Sequence, residues 1–86
     1  MKVLMVEPGK SPYETEIEGG LESLQAAVGG DIQATYPFDD LVGLICNDEG
    51  KLLGMPLNRA LYDDGGRMYD IVAGNFLIVG LGKEDF

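Results

Sequence analysis

The chain has 86 residues, of which 45% are hydrophobic and 24% charged, a composition that excludes intrinsic disorder. Its six basic and fifteen acidic residues give a net charge of −9, which repels phosphates and argues against direct nucleic acid binding. One cysteine and no histidine exclude an internal disulfide, a zinc cluster and a His-activated nucleophile. We therefore expect one non-enzymatic domain over residues 1–86, with no cofactor and no metal.

The sequence also bears on compartment and assembly. No apolar run is long enough to cross a bilayer, and the opening Met1–Lys10 segment is too short for a signal sequence. The lone Cys46 suits a reducing compartment. We expect a cytoplasmic protein that contacts no membrane. Because so small a core often needs support, we also expect a homo-oligomer.

The first half of the chain predicts two strands, one helix and a third strand. Lys2–Glu7 is rich in Val, Leu and Met and ends at Pro8-Gly9, which favours a buried strand. Period-2 alternation favours a second strand at Tyr13–Glu18, and we expect the two to form a hairpin. A helical face then ends at a Gly29-Gly30 stop, and a strand over Ile32–Tyr36 follows. The apolar residues of that helical face are Leu21, Leu24, Ala27 and Val28.

The middle of the chain predicts a buried strand, a turn and a short helix. A corner at Phe38–Asp40 leads into a strand at Leu41–Cys46 that is apolar enough to be buried on both faces, with Cys46 in the core. Asn47–Gly50 is typical of a hairpin turn, with Lys51–Leu53 as the returning strand. Pro56 favours a helical turn across Leu57–Tyr62.

The last part predicts apolar strands at Met68–Ala73 and Phe76–Leu81, either as a hairpin or as one bent strand. Phe76–Val79 is typical of a central strand, although a subunit interface also fits. We therefore predict an α+β fold. It comprises a small, mostly antiparallel sheet of five to six strands, one helix packed on the sheet and one short helical turn.

Three pairs of carboxylates could in principle perform acid-base chemistry, but each lies where a turn is predicted. Asp39-Asp40, Asp48-Glu49 and Asp63-Asp64 are best interpreted as solvated turn residues. The sequence therefore nominates no catalytic residue.

Asn58 and Arg59 are the main candidates for ligand contact. An alternative is structural: Arg59 could pair with Asp63 four residues later, and Asn58 could bond to a local carbonyl. Arg67 could complete an anion site, because an arginine beside aromatic rings can hold a phosphate and a base. The aromatic candidates near these residues are Tyr36, Tyr62 and Tyr69.

The order of several blocks resembles an uncharacterised family, a domain of unknown function, of small proteins in bacteriophages and mobile elements of Gram-positive bacteria. These blocks are Met1–Leu4 with Glu7–Gly9, Tyr36–Asp40, Cys46–Lys51, Pro56–Ala60 and Asp70–Gly74. The resemblance covers nearly the whole chain. It carries over no catalytic or binding residue, but it implies a phage or mobile-element accessory protein, and such proteins often act against host defence.

Two counter-defence mechanisms suit this chain. In the first, an oligomer binds and sequesters a nucleotide-derived signal, such as a cyclic nucleotide or an ADP-ribose derivative, through the candidate residues named above. In the second, the acidic surface inhibits a host nuclease, restriction or CRISPR system as a DNA mimic does. The sequence favours the first, because its acids are spread through turns rather than set in rows. A structural accessory without a ligand is a third hypothesis.

Overall fold

The computed structural model describes residues 1–37 and 41–80, and over these residues the chain forms seven strands and one helix. The predicted Phe38–Asp40 corner and the residue Leu81 lie outside the described residues. In chain order the elements are β1 (Lys2–Val6), β2 (Tyr13–Glu16), α1 (Gly20–Val28), β3 (Ile32–Thr35), β4 (Val42–Asn47), β5 (Leu57–Tyr62), β6 (Met68–Ala73) and β7 (Phe76–Gly80).

Five of the strands form one antiparallel sheet in the order β2-β1-β7-β4-β3. The predicted β1–β2 hairpin is confirmed. Strand β7 lies at the centre, and Phe76, Leu77, Ile78 and Val79 are all buried. A continuous apolar run is what a strand covered on both faces requires. The prediction of a central strand here is therefore confirmed.

Helix α1 covers one face of this sheet. Leu24 and Ala27 of the helix pack against Val3, Ile45 and Leu77. The helix ends where Gly29 adopts a left-handed conformation with φ of 80°, which glycine reaches without the steric cost of a side chain. The predicted helix and its stop are confirmed, except that Leu21 is exposed rather than buried.

Strands β5 and β6 form a separate two-stranded antiparallel sheet, hereafter the ribbon. The ribbon covers the opposite face of the main sheet, where Leu61 and Val72 pack against Leu44, Cys46 and Ile78. Successive residues of a strand point to opposite faces, so Leu44 and Cys46 contact the ribbon cluster while Ile45 contacts the helix cluster. The core therefore has two apolar layers, one on each side of the five-stranded sheet.

The predicted helical turn over Leu57–Tyr62 is wrong, because this segment is strand β5. Its apolar spacing is compatible with a helix, but pairing with β6 across the turn at residues 63–67 satisfies its backbone groups instead. The pairing is irregular: Leu57 lies opposite Ala73 and Arg59 opposite Val72, which leaves Asn58 as an extra residue. Such a β-bulge redirects a side chain.

One further prediction is wrong, and the structure decides between two alternatives for another segment. Residues 51–53 form no returning strand, because the chain after Gly50 coils into successive turns in which Leu53 N donates to Glu49 O at 2.9 Å. Of the two alternatives predicted for β6 and β7, a hairpin or one bent strand, the hairpin does not form. The chain bends at Gly74, where φ is 81°, and passes from the ribbon into the main sheet. The seven observed strands therefore exceed the predicted five to six.

Candidate functional site

The side chain of Asn58 joins the ribbon to the main sheet. The bulge directs its amide inward, where Nδ2 donates to Val6 O at 2.9 Å and to Gly74 O at 2.8 Å. Both amide hydrogens are thereby used, and Oδ1 accepts a hydrogen bond from Arg59 Nη1 at 3.0 Å. Sequence reasoning considered only a local carbonyl as a structural partner, but Val6 lies 52 positions away. The observed bonds give Asn58 a structural role.

Arg59 is held by backbone carbonyls beside Asn58. Its Nη2 donates to Lys10 O at 2.7 Å, and its Nη1 donates to Asn58 O at 3.2 Å. The suggested pair with Asp63 does not form, because Asp63 instead accepts backbone hydrogen bonds within its own turn. Arg59 thus fixes the loop after β1 against β5.

The turn at the end of the ribbon carries three of the sequence-predicted residues. Asp63 Oδ1 accepts hydrogen bonds from Gly65 N and Arg67 N, each at 2.9 Å, which fixes the turn. Tyr62 lies opposite Met68 across the strands. We call Tyr62, Arg67, Met68 and Tyr69 the ribbon tip. Tyr62 is 60% exposed, Met68 55% and Tyr69 54%, so this site is open to solvent.

Tyr36 belongs to a different part of the molecule. It follows β3, one of the two edge strands of the main sheet, and it is exposed. Asn58 and Arg59 lie toward the other end of β5 from the ribbon tip. The structure therefore brings together Tyr62, Arg67 and Tyr69, pairs Asn58 with Arg59, and separates Tyr36 from both groups.

Sequence reasoning missed a cleft of about 330 Å³ between β3 and β6. Cys46 and Val72 line it along with Gln33, and the ion pair of Lys51 with Asp70 also lies there. The hydrogen bond from Lys51 and a second from the Ile71 amide hold the pKa of Asp70 below its ordinary value. No local signal could have revealed the pair, because its members are separated by 19 positions.

Cys46 lines the cleft, but the residue is only 9% exposed. Burial raises the pKa of Cys46, and the negative charges of Asp70 and Asp48 raise it further, against the opposing charge of Lys51. A thiol whose pKa is raised is a poor nucleophile at neutral pH. This cysteine therefore behaves as a core residue, as the sequence predicts.

We expect Cys46 to react with a disulfide reagent far more slowly in the native protein than in the unfolded chain. The pKa of Cys46 is raised in the folded protein above its ordinary value of 9.0. The neutral thiol therefore makes its full contribution to the free energy of unfolding below pH 9.0, and this contribution is lost as the pH rises through the raised pKa. Chemical denaturation followed across this alkaline range measures the loss, and Cys46→Ala should remove this component. Native-state labelling as fast as that of glutathione would contradict the assignment.

Two other clefts flank helix α1. One, of about 470 Å³, lies between the helix and the Met55–Pro56 segment, and another, of about 410 Å³, lies between the helix and β2. Both have largely apolar linings, and none of the three clefts is lined by Arg59 or Arg67. The arginines needed for anion binding therefore lie outside these clefts.

Within residues 1–37 and 41–80, no group of three or more Cys, Asp or Glu side chains is arranged to hold a metal ion. The described part of the chain also contains no helix long and apolar enough to cross a membrane.

Comparison with known proteins places the chain in a family. No curated protein and no solved structure matches it significantly. A family model described as "Domain of unknown function (DUF3846)" matches residues 1–86, which is the full length of the sequence. The chain therefore belongs to the DUF3846 family.

Proposed function

We propose that this chain is a non-enzymatic phage or mobile-element accessory protein that binds a host defence protein in the host cytoplasm through its ribbon tip. The observation that carries the proposal is the exposure of Tyr62, Met68 and Tyr69 beside Arg67 on a turn fixed by Asp63. Tyrosine, methionine and arginine are enriched at protein interfaces. A rigid turn also lowers the entropic cost of ordering them on binding.

The contacts of Asn58 and Arg59 favour a protein partner over a nucleotide. Both Nδ2 hydrogens of Asn58 already bond to backbone carbonyls, and Arg59 also bonds to backbone carbonyls. Turning Asn58 toward a phosphate would break its bonds to Val6 O and Gly74 O. Moving the Arg59 guanidinium out to a phosphate would break its bond to Lys10 O in the loop after β1. The net charge of −9 also opposes the approach of an anion and favours a basic partner surface.

Sequestration of a nucleotide-derived signal is a second candidate, supported by the presence of Arg67, Tyr62 and Tyr69 at the same turn. An open turn cannot enclose a small ligand, so this function would require a second copy to cover the ribbon tip. Thermal unfolding with cyclic dinucleotides or ADP-ribose, comparing wild type with Arg67→Ala, tests it. A shift in wild type that Arg67→Ala abolishes would support this function, and no shift with any of these ligands would refute it.

The protein-binding proposal is tested with matched surface variants. Tagged wild type, a Tyr62→Ser/Tyr69→Ser variant and a Leu52→Ser/Leu53→Ser control are used to recover host proteins at low salt. The control removes two apolar side chains, each at least as exposed as the two tyrosines, from the loop after β4. Truncating one hot-spot tyrosine costs about 2 kcal/mol, which corresponds to about 30-fold in Kd. We therefore expect the Tyr62→Ser/Tyr69→Ser variant, the ribbon-tip variant, to bind a given partner at least about 30-fold more weakly.

The thermal stability of the ribbon-tip variant should stay close to that of wild type, because both side chains are mostly exposed. A partner recovered by wild type and by the Leu52/Leu53 control, but lost with the ribbon-tip variant, is the expected result. Equal recovery by all three proteins would overturn the proposal.

A further inference from the structure

The two edges of the five-stranded sheet differ in how they are protected. Strand β2 ends the sheet on one side and carries Glu14 and Glu16. Strand β3 ends it on the other side with the sequence Ile-Gln-Ala-Thr, which contains no charge and no proline. Its four residues pair with β4 in unbroken register, without a bulge. Charges, prolines and bulges are the usual devices that stop edge strands from pairing, and β3 has none of them.

Within residues 1–37 and 41–80, no strand covers the outer edge of β3. Among the described residues, β4 is the only strand that pairs with β3. Gln33 and Ala34 are both exposed. The free N–H and C=O groups of such an edge can therefore form a backbone ladder with a second chain.

We propose that two copies of this protein pair antiparallel through β3, joining their five-stranded sheets into one of ten strands. Two copies of this strongly acidic chain repel each other, but β3 carries no charge. A second copy can therefore approach along β3 without facing like charges on that strand. Hydrogen-bonded and non-hydrogen-bonded pairs alternate along an antiparallel ladder, so a two-fold axis must lie midway between the two copies of one residue. A centre at Gln33 or at Ala34 places Asp31 opposite Thr35 or Pro37 of the second copy, and never opposite Asp31.

Side chains next to β3 add apolar area to this interface. Tyr36 is 64% exposed directly after β3, and Leu41 is 76% exposed directly before β4, the strand that pairs with β3. Both lie at the same end of the β3–β4 pair and are available to a second copy. Burying this apolar area between two copies would stabilise each of them. Small domains without disulfides commonly require such additional stabilisation.

Sedimentation velocity over a range reaching several hundred micromolar tests the proposal. Wild type should be a dimer at the upper concentrations. Gln33→Glu and Gln33→Lys each place like charges near one another across the new ladder, and each should raise the dimer Kd by about fivefold. An equimolar mixture of the two variants should recover dimers, because the facing charges are then opposite.

Ser11→Glu is the control, since it adds the same charge to an exposed residue that precedes β2. It should leave the dimer Kd close to that of wild type, and circular dichroism should show that every variant is folded. Monomeric wild type throughout, or a dimer that Gln33→Glu leaves unchanged, would overturn the proposal. The ribbon-tip variant should still dimerise, so failure of the dimer and failure of partner binding are separate results.

Discussion

Replacing Asn58 with alanine should lower the free energy of unfolding by about 3 kcal/mol, because the carbonyls of Val6 and Gly74 lose their donor at a partly buried site. In a domain of this size, that loss corresponds to a fall in Tm of roughly 12 to 24 °C. The cause is a long-range one: the residue connects β5 to β1 and to the bend before β7. Urea titration followed by circular dichroism measures the change.

Arg59→Ala provides the comparison for Asn58→Ala. It removes the bond to Lys10 O but keeps both bonds from Asn58 Nδ2, so we expect a loss of about 1 kcal/mol. The double variant should lose less than the sum of the two single losses, since Arg59 also donates to Asn58 Oδ1. If Asn58→Ala unfolds at the urea concentration of wild type, the structural role assigned to Asn58 is wrong.

Replacing Asn47 with alanine should cost about 3 kcal/mol as well, because this side chain is only 6% exposed and satisfies two backbone groups. Its Nδ2 donates to Val28 O at 3.1 Å, and its Oδ1 accepts from Glu49 N at 2.7 Å. The first bond satisfies a carbonyl at the end of α1, where no further helical turn is available to do so. The second fixes the turn after β4.

Asn47→Asp separates these two contributions. The carboxylate can still accept from Glu49 N but cannot donate to Val28 O, and it brings a charge to a buried position. We expect it to be no more stable than Asn47→Ala at neutral pH. Asp48→Ala, at the exposed neighbouring position, should change the unfolding free energy by less than about 0.5 kcal/mol. Equal melting temperatures for Asn47→Ala and Asp48→Ala would contradict this account.

The helix and the sheet could be predicted to different extents. Helix α1 follows from its apolar spacing and from Gly29, which are local signals. The burial of β4 and β7 follows from their continuous apolar runs. Strand β5 could not be predicted in this way, because its backbone is satisfied by β6 and its bulge at Asn58 has no local marker.

The candidate site shows the same division. Tyr62, Arg67 and Tyr69 flank one short turn, and their proximity follows from sequence separation once that turn forms. The hydrogen bond that Asn58 Nδ2 donates to Val6 O depends on how the ribbon lies on the main sheet. The cleft beside Cys46 depends on the same arrangement, since residues of β4 and β6 meet there.

The sequence by itself determined that the composition is that of a folded domain and that no histidine is present to act as a catalytic base. It also determined the helix with its glycine stop and the buried strands, because each of these depends on residue type and local spacing. Only the tertiary structure decided the split into two sheets, the strand at β5, the structural use of Asn58 and Arg59, and the uncharged outer edge of β3. These features depend on which strands pair. Strand pairing joins residues far apart in the chain, which local propensity does not specify.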